Sequence, residues 1–299
     1  MIIAYDTPGQ LGNQLWAYSN LIAIAKDCNK SIVIILQNNY FKFLDERTLQ
    51  KAKEFNVYIL NSSTFKGRIF TKISTCLIKN WNSKWTKVLP IYLASNGSEK
   101  EYKNIMLKKR CLHFVNAWEH RINNVSFIKQ RIFIRSIIEP EYTSKNLAQE
   151  RINLLRKNFE IIVAVHIRRG DYKTFLDGKY YFDDKVYLDK MKQIANILKP
   201  FNVVFAIFSN EKIELNNYPN VNVSFSNLNS PIGDLWGISM CDYIIGPLST
   251  FSMWASFWKN VPLLFIDNNT FISSMNDFSP VIAQDIQEKN YSPVGKQKI

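Results

Sequence analysis

The chain has 299 residues, 46% hydrophobic and 21% charged, which is the make-up of one large or two ordinary globular domains. Its apolar runs, such as Ile32–Leu36 and Ile161–Val165, are far shorter than the roughly 20 residues of a membrane-spanning helix. The opening Met1–Asp6 lacks a signal-peptide pattern, so a cytoplasmic protein is expected, with Cys28, Cys76, Cys111 and Cys241 as buried thiols.

In chain order, Met1–Tyr5 reads as a short strand, Thr7–Asn13 as a loop, and Leu15–Lys26 as a helix by its apolar spacing. Ile32–Leu36 is a β-branched run of the kind found in buried parallel strands. The stretch from Phe41 to Ile138 shows several helices without clear limits. Within it, Thr71–Trp85 places Ile73, Leu77, Ile78 and Trp81 on one helical face. A boundary is expected near Glu139–Lys145, dividing a domain of residues 1–140 from one of 141–299.

Beyond the boundary the pattern is regular. Helices are expected at Ala148–Phe159, Tyr187–Leu198, Ile232–Met240 and Thr250–Trp258. Strands are expected at Ile161–Ile167, Val203–Phe208, Asn220–Phe225, Tyr243–Ile245 and Leu263–Ile266. Alternation of this kind describes a parallel, Rossmann-like α/β sheet, and a polar tail follows Gln284.

The net charge of +13 is concentrated. From Asn61 to Arg135, 15 Lys or Arg stand against three Glu, an excess of 12, with Phe65, Phe70, Trp81, Trp85, Tyr92, Phe114 and Trp118 interleaved. Three readings fit this insertion: an anionic membrane surface, a solvated basic face, or nucleic acid. No nucleic-acid module is recognisable, so nucleic acid is not expected as a partner.

Three places could carry chemistry. His166-Ile167-Arg168-Arg169-Gly170-Asp171 follows an apolar strand directly, at the sheet edge where open α/β folds bind ligands. Two adjacent guanidiniums call for an anion, and a diphosphate accepts their bidentate hydrogen bonds. His166 and Asp171 add groups able to hold or move protons. The plainer alternative is a surface cluster in which Asp171 pairs with Arg169. Asp234 is followed by Ser249-Thr250-Phe251-Ser252 at the start of a helix, either a phosphate seat or an ordinary cap. Gly9-Gln10-Leu11-Gly12-Asn13-Gln14 lets backbone approach a ligand, or forms a tight turn capped by Asn13. There is no Gly-x-Gly-x-x-Gly, no P-loop and no Asp-x-Asp to hold a metal-bound nucleotide sugar, and no histidine spacing suggests zinc.

In this order the three blocks resemble the bacterial α-1,2-fucosyltransferases of the glycosyltransferase family 11 type, and more distantly the α-1,6- and protein O-fucosyltransferases. Gly9–Gln14 is similar to the family's Gly-x-x-Gly-Asn-Gln loop, His166–Asp171 to its His-x-Arg-Arg-x-Asp motif, and Asp234–Trp254 to its C-terminal block. The resemblance implies a GT-B architecture of two facing Rossmann-like domains with parallel sheets, the second holding GDP-fucose, and inversion without a metal or cofactor. Carried over, Arg168 and Arg169 hold the diphosphate, Asp234 accepts from guanine, and Ser249, Thr250, Phe251 and Ser252 seat phosphate. Asn13 faces the fucose, Gly12 belongs to donor binding, and His166 and Asp171 are candidate bases. The chain departs from the pattern at Phe208-Ser209-Asn210, where many relatives have Phe-Ser-Asp-Asp, and at Gly246-Pro247-Leu248, where Asn is usual.

The expected function is transfer of L-fucose to a sugar hydroxyl, α-1,2 to galactose, in bacterial surface-glycan assembly. The acceptor would be an oligosaccharide, lipid-linked where assembly occurs on a membrane, and the protein cytoplasmic or peripheral on the inner membrane face. Rivals are a GT-B transferase using another nucleotide sugar, and a non-catalytic basic protein that binds nucleic acid or membrane.

Overall fold

The computed structural model describes residues 1–6, 9–79, 91–94, 104, 107, 111–118, 125–228 and 230–283. Much of the basic insertion, including Trp81, Trp85 and Lys108 to Arg110, lies outside the described residues, as does the tail after Ala283. The chain divides into two compact units, Met1–Glu141 and Tyr142–Ile282.

The first unit has β1 (Ile2–Ala4), α1 (Leu11–Asp27), β2 (Ile32–Leu36), α2 (Asn38–Phe41), α3 (Glu46–Glu54), β3 (Val57–Asn61), α4 (Phe65–Lys79), β4 (Ile91–Ala94), β5 (Leu112–Val115) and α5 (Val125–Ile137). Its parallel sheet has the order β3-β2-β1-β5-β4. All five residues of β2 are buried, which accounts for a strand with no polar alternation. Helix α1 begins at Leu11, earlier than its apolar spacing indicates. Gly12 and Asn13 therefore lie inside its first turn, Gln10 is the N-cap, and Asn13 is not the cap. Gln14 is fully buried and its Nε2 donates to the Gly9 carbonyl at 2.8 Å, holding the loop against the helix. The Tyr18 hydroxyl lies 2.8 Å from the Asp6 carbonyl and 2.6 Å from the Ile35 carbonyl, its one proton shared between them, and so bridges the chain just after β1 to β2.

The second unit has α6 (Tyr142–Arg156), β6 (Ile161–Ile167), α7 (Asp184–Ile197), β7 (Val203–Ser209), β8 (Val223–Phe225), α8 (Pro231–Ile238), β9 (Tyr243–Gly246), α9 (Thr250–Lys259) and β10 (Leu263–Phe265). Its sheet is also parallel, in the order β10-β9-β6-β7-β8, so β6 is central. Val163, Val165, Ile167, Phe205 and Ile207 form a core with Tyr187, Met191 and Ile194 of α7. Gly246 is required where β9 passes β6, because a Cβ there would stand 2.8 Å from the His166 carbonyl oxygen.

The α/β class with parallel sheets is the one the sequence pattern indicates. Element limits differ where polar residues start a helix. Helix α6 begins at Tyr142 rather than Ala148, since only Ala148, Ile152 and Leu155 supply its buried apolar face. Helix α7 begins at Asp184 because the Asp183 carboxylate caps it, accepting from the Val186 amide at 3.2 Å. Helix α4 begins at Phe65, six residues ahead of the expected start, and residues 80–85 are outside the described set. Of the four thiols expected to be buried, Cys28, Cys111 and Cys241 are, and Cys76 is exposed.

Candidate active site

An open cleft of about 740 Å³ lies in the second unit at the carboxyl ends of β6, β7 and β8. Its lining includes His166, Arg168, Ser226, Leu228, Asp234 and Phe251. This is the edge at which parallel α/β sheets present strand-end side chains and helix starts to ligands.

Arg168 and Arg169 leave β6 in different directions. Arg168 lines the cleft, its Nη2 2.8 Å from Asp171 Oδ1 and its guanidinium 5.5 Å from the centre of the Tyr172 ring. The Tyr172 hydroxyl donates to the Leu248 carbonyl at 3.1 Å, linking this loop to the end of β9. Arg169 is paired instead with Asp184 at the start of α7. Asp184 also accepts from the Tyr218 hydroxyl and, at 2.7 Å, from Asn217 Nδ2. Burial opposes the charge on Arg169, and Asp184 outweighs it, so the guanidinium pKa is raised. Each arginine thus has its own carboxylate, and Asp171 pairs with Arg168 rather than with Arg169.

Two side chains from the end of β7 hold this loop. Asn210 Oδ1 accepts from the Arg169 amide at 2.9 Å, and Glu211 Oε1 accepts from the Gly170 amide at 2.9 Å. Gly170 has φ +56°, a conformation that suits glycine, and a Cβ there would meet Asn210 Nδ2 at 2.9 Å. The departure from the family pattern at Asn210 therefore sits under the diarginine turn.

His166 is buried, with its ring 5.2 Å from that of Phe251 and its Nδ1 without a hydrogen-bond partner. Burial, aided by the charge on Arg168, pushes its pKa down to about 3. The imidazole is neutral at working pH and is a weak base. Asp234 sits in the first turn of α8, behind the Ser230 cap, and Oδ1 accepts from the Ser226 hydroxyl at 2.9 Å. Burial pushes its pKa up to about 6, although the Ser226 hydrogen bond pulls it down.

The hydroxyl block divides by orientation. Ser249 caps α9, accepting from the Phe251 amide at 3.2 Å, and Phe251 reaches the cleft. Thr250 opens the helix at that end. Ser252 is fully buried, and its hydroxyl donates to the Ser249 carbonyl at 3.2 Å, so it is committed to the helix start. Gly12 and Asn13 belong to the first unit, at the start of α1. The residues that sequence reasoning passed over are Asp184, Asn217 and Tyr218 around Arg169, Glu211 under Gly170, and Ser226 beside Asp234. Only Ser226 carried a signal, as a polar residue directly after a strand.

The Arg169 cluster has a measurable consequence. Asp184→Asn leaves a largely buried guanidinium without its counter-charge, which costs about 3 kcal/mol. For a unit of this size the melting temperature should fall by roughly 6–12 °C, read by calorimetry or circular dichroism. A fall under about 2 °C would show that the pair is only a surface contact.

Taken together, the parallel sheet, the strand-end arginine and the helix starts define a cleft suited to an anionic ligand. The chain belongs to glycosyl transferase family 11, whose profile matches residues 4–290, and it is a glycosyltransferase. It is 27% identical over 284 residues to an alpha-1,2-colitosyltransferase of Escherichia coli, covering 88% of this chain and 89% of that one. In fold it is similar to a mutant of Arabidopsis thaliana FUT1 in complex with GDP, at a TM-score of 0.58 and 10% identity, over 95% of this chain and 74% of that one. It is also similar to POFUT1 in complex with GDP-fucose, at a TM-score of 0.54 and 11% identity, over 88% and 97% of the two chains.

Proposed function

We propose that the protein is an inverting, metal-independent fucosyltransferase of GT-B architecture that moves L-fucose from GDP-fucose to a sugar hydroxyl. The observation that carries this reading is the pairing, in one cleft, of a strand-end guanidinium at Arg168 with a buried carboxylate at Asp234. A carboxylate suits the two adjacent donors on the guanine edge, and a guanidinium suits a diphosphate. The fold neighbours that contain GDP and GDP-fucose support the same donor.

In the proposed reaction an acceptor hydroxyl attacks the anomeric carbon as the bond to the diphosphate oxygen breaks. GDP leaves with the electron pair, and the hydroxyl proton passes to solvent or to Asp171. Arg168 stabilises the charge that develops on GDP. His166, with its depressed pKa, orients and excludes water rather than accepting the proton. The α9 start at Ser249, Thr250 and Phe251 adds backbone donors for phosphate, and Arg169 holds the loop. Asn13 is assigned to the fucose and Gly12 to donor binding by their place in the Gly9–Gln14 loop motif. The proposed linkage is α-1,2 to galactose, on a bacterial surface glycan assembled at the cytoplasmic side of the membrane.

A second reading is favoured by the Escherichia coli relative: transfer of colitose, which lacks the 3-hydroxyl of fucose, from the same kind of donor. One experiment serves both. Each donor is offered with a panel of galactosides in excess EDTA, and products are weighed, the two sugars differing by one oxygen atom. Turnover should persist in EDTA, and GDP should raise the melting temperature where UDP does not. A loss of more than about tenfold that Mn²⁺ or Mg²⁺ restores would overturn the metal-independent reading.

A further inference from the structure

Helix α4 has two faces with different partners. Phe70, Leu77 and Ile78 pack against Ile3 and Phe114 of the first unit's sheet, and Gly67 and Ser74 are buried beneath the helix. A Cβ on Gly67 would fall 1.9 Å from the Asn61 carbonyl oxygen, so the first turn lies hard against the end of β3. The opposite face carries Phe65, Ile69 and Ile73, exposed by 75%, 39% and 53%. Their four-residue spacing sets them in one line along about 12 Å of helix.

Lys66, Arg68, Lys72 and Lys79 flank that line, and the helix contains no carboxylate. One exposed hydrophobe on a surface is ordinary, whereas three in line between four cations is the pattern of a helix that lies in a lipid interface. Long lysine and arginine stems can keep their charges at the headgroup level while the apolar line enters below it. The wider sequence agrees in sign, with an excess of 12 positive charges between Asn61 and Arg135.

We infer that the outward face of α4 docks the protein on an anionic lipid surface, with Phe65, Ile69 and Ile73 entering the interface and the four cations meeting lipid phosphates. Nucleic acid matches the cations and leaves Ile69 and Ile73 without a role. The inference rests on α4 alone and stands apart from the donor cleft.

The test is co-sedimentation of the full chain with vesicles of phosphatidylcholine, with and without phosphatidylglycerol. Binding should be at least about tenfold tighter to the anionic vesicles and should weaken as added salt shortens the Debye length from about 10 Å toward 3 Å. Phe65→Asp with Ile73→Asp should lower anionic-vesicle binding at least about 30-fold, and the milder pair Phe65→Ser with Ile73→Ser about tenfold. Lys66→Glu, Arg68→Glu and Lys72→Glu together should lower it at least about 100-fold, near fivefold or more for each charge. Lys51→Glu with Lys53→Glu on α3 should change it little. Melting temperatures of all variants should stay near the parent value, since these side chains are exposed. Equal binding to both vesicle types, no vesicle binding, or duplex-DNA retention indifferent to Phe65→Asp would each overturn the inference.

Discussion

Arg168→Lys is expected to lower kcat at least about 100-fold while leaving the melting temperature within about 2 °C of the parent. Lysine keeps the charge and can still pair with Asp171, which is half exposed, so little stability is at stake. What it loses is the planar fork that reaches two phosphate oxygens at once. If Arg168 acts on the charge that grows as GDP leaves, the loss falls on kcat more than on KM for the donor. Arg169→Lys should show the opposite balance, because that guanidinium is held by Asp184 and enters the cleft only through the loop it anchors. Its melting temperature should drop by several degrees, with a smaller loss of turnover. Measuring both quantities on both variants is decisive. A 100-fold loss confined to Arg169→Lys would transfer the phosphate contact to Arg169.

That asymmetry marks the limit of what the sequence discloses about the site. The run Ile161–Ile167 is legible as a buried strand because a central parallel strand is apolar on both faces, and its end then places His166 and Arg168 at the sheet edge. Periodicity says nothing of where two adjacent side chains turn. Arg169 is decided by Asp184, Asn217 and Tyr218, which come from the start of α7 and a 3-10 turn after β7. Asn210 and Glu211 reach the loop from the neighbouring strand, a relation set by register and not by sequence spacing. Ser252 illustrates a different difficulty. As one of four residues at a helix start it looks available, yet its position turns the hydroxyl into the helix. The first unit was less legible for another reason. Its strand β5 is only four residues long and pairs with β1 far back in the chain, so local pattern gives it little weight.

Asp234 is expected to make guanine binding depend on pH. Its carboxyl, pushed up to about 6 by burial, must be ionised to accept two hydrogen bonds from guanine. GDP affinity relative to that for ADP, which carries the same diphosphate, should therefore be flat above about pH 7 and weaken by up to tenfold per unit below about pH 6. The protein by itself should respond in the opposite sense. The folded pKa lies above the usual carboxylate value of 3.8, so the stability contributed by this group is fully present below about 3.8 and is lost as pH rises through about 6. At pH 8 the buried charge costs about 3 kcal/mol, and Asp234→Asn removes that cost. The variant alone should then melt at or above the parent temperature at pH 8. Its GDP affinity should nevertheless fall about 10- to 100-fold, because the amide turns a donor toward two donors. Between about pH 5 and 8 that weakened affinity should lose the dependence Asp234 adds and follow only the slope shared with ADP, whose terminal phosphate titrates as that of GDP does. ADP is the control, since adenine lacks the guanine N1 donor and should bind parent and variant alike. Calorimetric titration of both nucleotides over this pH range, with melting curves on the same samples, measures every quantity. If the variant binds GDP as tightly as the parent, or keeps the parent's pH slope for GDP relative to ADP, Asp234 does not read the base and the donor must be oriented from another wall of the cleft.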